Sequence, residues 1–233
     1  HLKRYFAYLE TTGILFLSPA ATLRLPKYLR RHHRAYREEK IREVLDRVRT
    51  DTALTIRGKA ILELGYSSAL RPREIRSLKL ADIDWARAQL FIEQSKGKKD
   101  RIVPVGRLAL EWLGEYMERT RPGFANDNSR DAVFIGHKSG RPLSERGLDW
   151  AAREALRQSG LSPLPLYSLR ATAATNLLDR GMNVTHIGRL LGHAMITTTQ
   201  MYLHTKHREL VRAIGSAHPR YHKIESEEAN HET

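Results

Sequence analysis

The chain has 233 residues, of which 41% are hydrophobic and 28% charged, and it has no cysteine. That balance belongs to a globular chain with a sizeable core rather than a disordered one, and it excludes disulfides and thiolate metal sites. Lys and Arg number 40 against 26 Asp and Glu, a formal net charge of +14 that asks for a polyanionic partner, nucleic acid before an anionic membrane.

His1 to Leu23 superficially resembles a signal peptide: a basic start, the apolar run Gly13-Ile14-Leu15-Phe16-Leu17, then Ser18-Pro19-Ala20-Ala21. The apolar run is short and Glu10 stands just ahead of it, so the segment reads as the end of a helix. No stretch approaches the length of a membrane span, and a cytoplasmic location is expected. Pro19 and Pro26 flank a basic connector that carries Arg30, Arg31, His32, His33 and Arg34.

From Glu38, the residues Ile41, Val44, Leu45 and Val48 recur at the spacing of one helix face, and Ile56, Ala60, Ile61 and Leu64 do the same in a second helix that stops near Gly65. The texture then changes. Leu90-Phe91-Ile92 and Arg101-Ile102-Val103-Pro104-Val105 are β-prone runs joined by Ser95-Lys96-Gly97-Lys98-Lys99-Asp100, which predicts a hairpin with a lysine-bearing tip. Helical spacing returns with Ala109, Trp112, Leu113, Tyr116 and Met117, an aromatic stripe read as core. Ser144 begins another helix that stops at Gly160, residues 168–181 form the next, and Asn183 caps a short helix ending at Gly192. Thr197-Thr198-Thr199 offers hydroxyl caps for a helix carrying Tyr202, and the tail from Glu225 is polar. The expected fold is mainly α with a small antiparallel β-sheet (α+β). Residues 1–25 are read as a separate helical piece, 26–37 as a basic linker, 38–220 as the main domain and 221–233 as a polar tail.

Four features suit one kind of chemistry. They are Arg71 in Leu70-Arg71-Pro72-Arg73-Glu74-Ile75, the lysine-tipped hairpin, Tyr167-Ser168-Leu169-Arg170 at a helix start, and Leu190-Leu191-Gly192-His193 followed by Tyr202. Transferring a DNA phosphodiester to a protein hydroxyl places charge on the non-bridging oxygens, and guanidiniums match them with paired hydrogen bonds. The leaving 5′ oxygen needs a proton, which a lysine or histidine can supply. A tyrosine can attack and later leave, since phenolate (pKa ~10) is a reasonable leaving group, so the step is reversible and asks for neither metal nor ATP. Singly each feature has a plainer reading: surface Arg or Tyr, a turn at Arg-Pro, a C-cap at Gly192-His193.

Together, the Ala69 to Ile75 stretch, the hairpin from Lys96 to Val105 and the run from Leu190 to Tyr202 resemble the tyrosine recombinase (phage integrase) family. The similarity extends from about Glu38 to the His218-Pro219-Arg220 segment. The resemblance implies that fold for the catalytic domain, with Arg71 and Arg170 as phosphate-binding arginines and Lys96 as general acid on a hairpin in the minor groove. It implies that His193 assists the phosphate and the nucleophile's proton, that Tyr202 attacks, and that Glu74 is a buried support. It also implies double-stranded DNA as partner, a homotetramer on paired sites, accessory DNA-bending or directionality proteins, and no cofactor. Residues 1–25 become the end of a helical DNA-clamping domain, and the connector a strap across the DNA. Arg30, Arg31, Arg34, Arg73, Lys98 and Lys99 are the expected DNA-binding residues. One position departs from the family's pattern: Tyr167 stands where His or Lys is common, and a neutral hydroxyl can donate one hydrogen bond but cannot act as a base. Two alternatives stay open, a DNA-binding protein of this fold with little catalysis and a relaxing enzyme of the type IB topoisomerase kind.

Overall fold

A computed structural model describes residues 2–23, 35–93 and 100–192. The chain divides into two units, residues 1–32 and 33–233. In the first, α1 (Leu2–Thr11) buries none of its residues, and a turn at Gly13 with φ +74° ends it.

In the second unit α2 spans Glu38–Asp46 and turns Ile41 and Leu45 inward, with Val48 closing on the core just beyond it. The central element is α3 (Ala53–Ser67). Thr52 caps its start reciprocally, with the Thr55 N–H donating to Thr52 Oγ1 at 3.2 Å and the Thr52 N–H to Thr55 Oγ1 at 3.1 Å. The helix runs two residues past Gly65. It is buried on all sides, packed on α5 (Arg107–Glu115), α7 (Glu145–Gln158) and α8 (Leu166–Asp179). Gly58 allows the approach to α7: a Cβ there would lie 2.2 Å from the Cβ of Ala155 and 2.9 Å from the Ala151 carbonyl.

Such a helix should be apolar throughout, yet α3 carries Arg57, Lys59 and Glu63, all at most 4% exposed. Each has an internal partner. Arg57 donates to the Ile135 carbonyl at 2.8 Å and lies over the Phe124 ring, 5.3 Å from its centre. Lys59 donates to the Leu45 carbonyl, pairs with Glu63 at 3.0 Å and lies over Trp112. Burial pushes the Glu63 carboxyl's pKa up, although Lys59 opposes the shift.

A short α4 (Pro72–Ser77) leads to an antiparallel sheet in the order β1 (Ile83–Asp84), β2 (Gln89–Ile92), β3 (Arg101–Pro104). The two expected strands pair with Leu90 opposite Val103 facing the core and Phe91 opposite Ile102 facing out. β1 was not expected, since its two residues are too few to show alternation. After α5 the chain makes a π turn at Tyr116–Thr120, where buried Tyr116 donates to the Val133 carbonyl at 3.1 Å; α6 (Arg121–Phe124) follows. Ser144 caps α7 as expected, and α8 begins two residues before the expected Ser168. Asn183 caps α9 (Val184–Leu191), its side chain accepting from the Thr185 N–H at 2.8 Å, and Gly192 ends it in the left-handed conformation with φ +60°.

Candidate active site

Arg71 occupies the N-cap of α4, where Pro72 suits the first helical position because its missing N–H has no partner to lose there. Glu74, one turn on, reaches back. Its Oε2 accepts from the Arg71 backbone N–H at 2.8 Å and its Oε1 from Arg71 Nη1 at 2.7 Å. Arg101, the first residue of β3, closes on the same carboxylate as a fork, Nη1 to Oε1 and Nη2 to Oε2, both at 3.0 Å. Glu74 is 7% exposed. Burial alone would raise its pKa, but the hydrogen bonds from Arg101 and the Arg71 backbone outweigh that and hold it at about 2.

The same guanidiniums converge on the end of α9. A helix leaves its last carbonyls without internal partners, with a partial negative charge that favours cations. Here three successive carbonyls are each met by an arginine. The Leu190 carbonyl accepts from Arg101 Nε at 3.0 Å, the Leu191 carbonyl from Arg170 Nη2 at 2.7 Å, and the Gly192 carbonyl from Arg71 Nη2 at 3.3 Å. Arg170 is 1% exposed and extends from α8, where its Nη1 also donates to the Ala69 carbonyl at 2.7 Å. Ala69 takes a left-handed conformation, φ +49°, unusual for a residue with a side chain.

Arg71 and Arg170, expected as a pair, are thus brought onto neighbouring carbonyls. Arg73 is exposed beside them and, with Arg71, Arg76 and Lys79, lines a groove of about 290 Å³ next to β2. Tyr167 is the second residue of α8 and is 43% exposed. Lys96, Lys98, Lys99, His193, Tyr202, Arg30, Arg31 and Arg34 lie outside the described residues; His193 directly follows Gly192 in the chain. Among the described residues no cluster of His, Asp and Glu is suited to a metal, and no helix is long and apolar enough to cross a membrane.

Arg101 was not singled out by the sequence, although a signal existed. Strand alternation puts it on the face of Val103, which is fully buried, and a charged residue on a core-facing position needs a partner inside.

The phage integrase family's model matches residues 34–209. The chain belongs to the phage integrase family. Among relatives of this integrase-family enzyme is the tyrosine recombinase XerC of Haemophilus ducreyi, 35% identical over 221 residues, which cover 94% of this chain and 70% of that protein. The tyrosine recombinase XerD of Neisseria meningitidis is 32% identical over 219 residues, 94% of this chain and 74% of its own. These relatives make the chain a tyrosine recombinase. The fold agrees with solved integrases: a Tn1549 transposon integrase in complex with transposon right end DNA superposes with a TM-score of 0.72 at 15% identity, over 92% of this chain and 76% of that one. The XerA recombinase superposes with a TM-score of 0.67 at 24% identity, over 94% of this chain and 75% of that one. This integrase fold is mostly helical with a small antiparallel sheet, as the sequence predicted.

Proposed function

We propose that this tyrosine recombinase cuts and rejoins double-stranded DNA at specific sites through a 3′-phosphotyrosyl intermediate on Tyr202. What supports the reading most is the convergence of Arg71 and Arg170 on the carbonyls of Gly192 and Leu191, immediately before His193. Two guanidiniums anchored on adjacent carbonyls suit the two non-bridging oxygens of one phosphate.

In the reaction the Tyr202 hydroxyl attacks phosphorus as its proton leaves, assisted by His193. The bond from phosphorus to the 5′ oxygen breaks, and that oxygen takes a proton from Lys96. A free 5′ hydroxyl from another strand then attacks the phosphotyrosine and releases the phenol. The phosphoester count is unchanged throughout, so no step consumes ATP, and the described groups supply charge stabilisation without calling on a metal. Arg73, Lys98, Lys99 and the connector arginines Arg30, Arg31 and Arg34 add phosphate contacts, with residues 1–25 as the end of a clamping domain. Strand exchange is carried out by a homotetramer on paired sites, with accessory DNA-bending proteins setting direction.

A second reading, DNA binding with little cleavage, is favoured by Tyr167, which puts a neutral hydroxyl where the family commonly has a base. A nicked duplex from the element's own DNA ends separates the two. A covalent adduct on denaturing gels with the wild type and none with Tyr202→Phe supports the cutting enzyme. An adduct that persists in Tyr202→Phe makes another residue the nucleophile, Tyr167 first. Tight binding with no adduct from either protein overturns the proposal in favour of binding alone.

A further inference from the structure

We infer that Arg101 is a positioning residue for the reaction, setting the Arg71 guanidinium and the end of α9 in one frame through Glu74 and the Leu190 carbonyl. The inference rests on the reading above that Arg71 grips the reacting phosphate.

Three observations carry it. Arg101 spends its whole fork on Glu74, and both carboxylate oxygens that hold Arg71 are also held by Arg101. Its remaining nitrogen, Nε, donates at 3.0 Å to the Leu190 carbonyl, two residues before the Gly192 carbonyl that Arg71 itself contacts. The Arg101 side chain is only 10% exposed and the Glu74 side chain 8%, so neither geometry is free to drift in solvent. Arg101 therefore joins three elements, β3, α4 and α9, at the point where Arg71 leaves α4. It does not need to touch DNA to matter: a guanidinium displaced by a fraction of an ångström loses its two-point match to a phosphate.

A lysine cannot replace it fully. One ammonium can face Glu74, but it cannot present a planar fork to both oxygens and reach the Leu190 carbonyl together. Loss of Arg101 also leaves Glu74 with Arg71 as its one remaining arginine, so the carboxylate is free to draw the Arg71 guanidinium toward itself and away from the phosphate.

The test uses the full chain and single-turnover cleavage of a nicked duplex. Two scissile groups are compared, the ordinary phosphate and a methylphosphonate, in which a methyl replaces one charged non-bridging oxygen. On the phosphate, Arg101→Met should form the Tyr202 adduct on the order of 10²-fold more slowly and Arg101→Lys about 10-fold more slowly, with DNA affinity within about twofold of wild type. On at least one methylphosphonate diastereomer both deficits should shrink to a few-fold, because the charge Arg71 must meet is gone. A deficit of equal size on both substrates would mark Arg101 as a general structural residue and overturn the inference, as would wild-type rates on the phosphate. A loss confined to DNA affinity would overturn it too, making Arg101 a DNA contact. If Arg101→Met does not fold, Arg101→Lys makes the same comparison between substrates, with a smaller expected difference. Failure of the wild type to form a Tyr202 adduct would bring down the proposed function and this inference together, whereas a wild-type adduct with unaffected Arg101 variants removes the inference alone.

Discussion

Glu74→Gln is the sharpest test of how the arginine site is held. The substitution keeps size and removes charge. It also replaces one carboxylate oxygen by an amide that donates, facing the N–H groups of Arg71 and Arg101 that now need acceptors. The carboxyl's pKa is about 2 in the fold against an ordinary 4.5. Because the folded value is the lower one, its contribution is fully present above about pH 4.5 and is lost as the pH falls toward 2. A separation of that size corresponds to on the order of 3 kcal/mol at pH 7, falling to about 2 kcal/mol at pH 3.5. The same range comes from the buried side: removing one partner of a buried ion pair costs ~3–5 kcal/mol. Urea unfolding of both proteins should therefore show Glu74→Gln less stable by about 3 kcal/mol at pH 7, with the gap narrowing at pH 3.5. Equal midpoints at pH 7 would refute the reasoning, and so would a gap that does not narrow in acid.

Tyr167→His should raise the rate of adduct formation by ~10-fold to 10²-fold in single-turnover assays, because it restores a cationic or basic group at a donor position; an unchanged rate would remove Tyr167 as the limiting feature. Lys59→Met should destabilise the chain by ~3–5 kcal/mol by leaving Glu63 buried without its ion-pair partner, and Lys59→Met with Glu63→Leu should recover most of that loss in the same unfolding measurement. Gly58→Val should lower stability by more than ~3 kcal/mol, since even a methyl would overlap Ala155; a smaller loss would mean α3 and α7 separate easily. Neutralising Arg30, Arg31 and Arg34 together should flatten the salt dependence of DNA binding by about 3 in the slope against log salt, and an unchanged slope would show that the connector does not cross the DNA.

Much of the fold was readable because its signals are local. Ser144 and Asn183 announce helix starts with side chains that accept from their own next turn, and Gly160 and Gly192 end helices at positive φ. The two paired strands showed as β-prone runs on either side of a polar, glycine-containing stretch. What the sequence concealed depends on distant partners. Lys59 and Glu63 lie off the apolar stripe of Ile56, Ala60, Ile61 and Leu64 while Arg57 interrupts it, and only the packing of α5, α7 and α8 around α3 makes all three buried. Ala69 gives no sign of a left-handed turn, because its carbonyl is drawn to Arg170, a partner far away in sequence. At the site, Arg71, Arg170 and Glu74 were recognisable from their motifs. Arg101 was not, since its role exists only where β3, α4 and α9 meet.

The choice of partners at this site has a consequence for its charge. Three guanidiniums meet, and a protein could hold them with three carboxylates. That arrangement would fix their positions and cancel their positive field. Among the described contacts one carboxylate, Glu74, serves two of them, and the carbonyls of Ala69, Leu190, Leu191 and Gly192 hold them as well. A carbonyl orients a guanidinium without neutralising it, and carbonyls at a helix C-terminus do so with an added partial negative charge. Among the described groups, three positive charges gather around one negative charge, a balance that would favour a bound phosphodiester. Glu74, its pKa held at about 2, stays ionised near neutral pH, so its own charge does not vary there. The end of α9 therefore does two things at once: it aligns the arginines, and it starts the segment that runs to His193 and Tyr202.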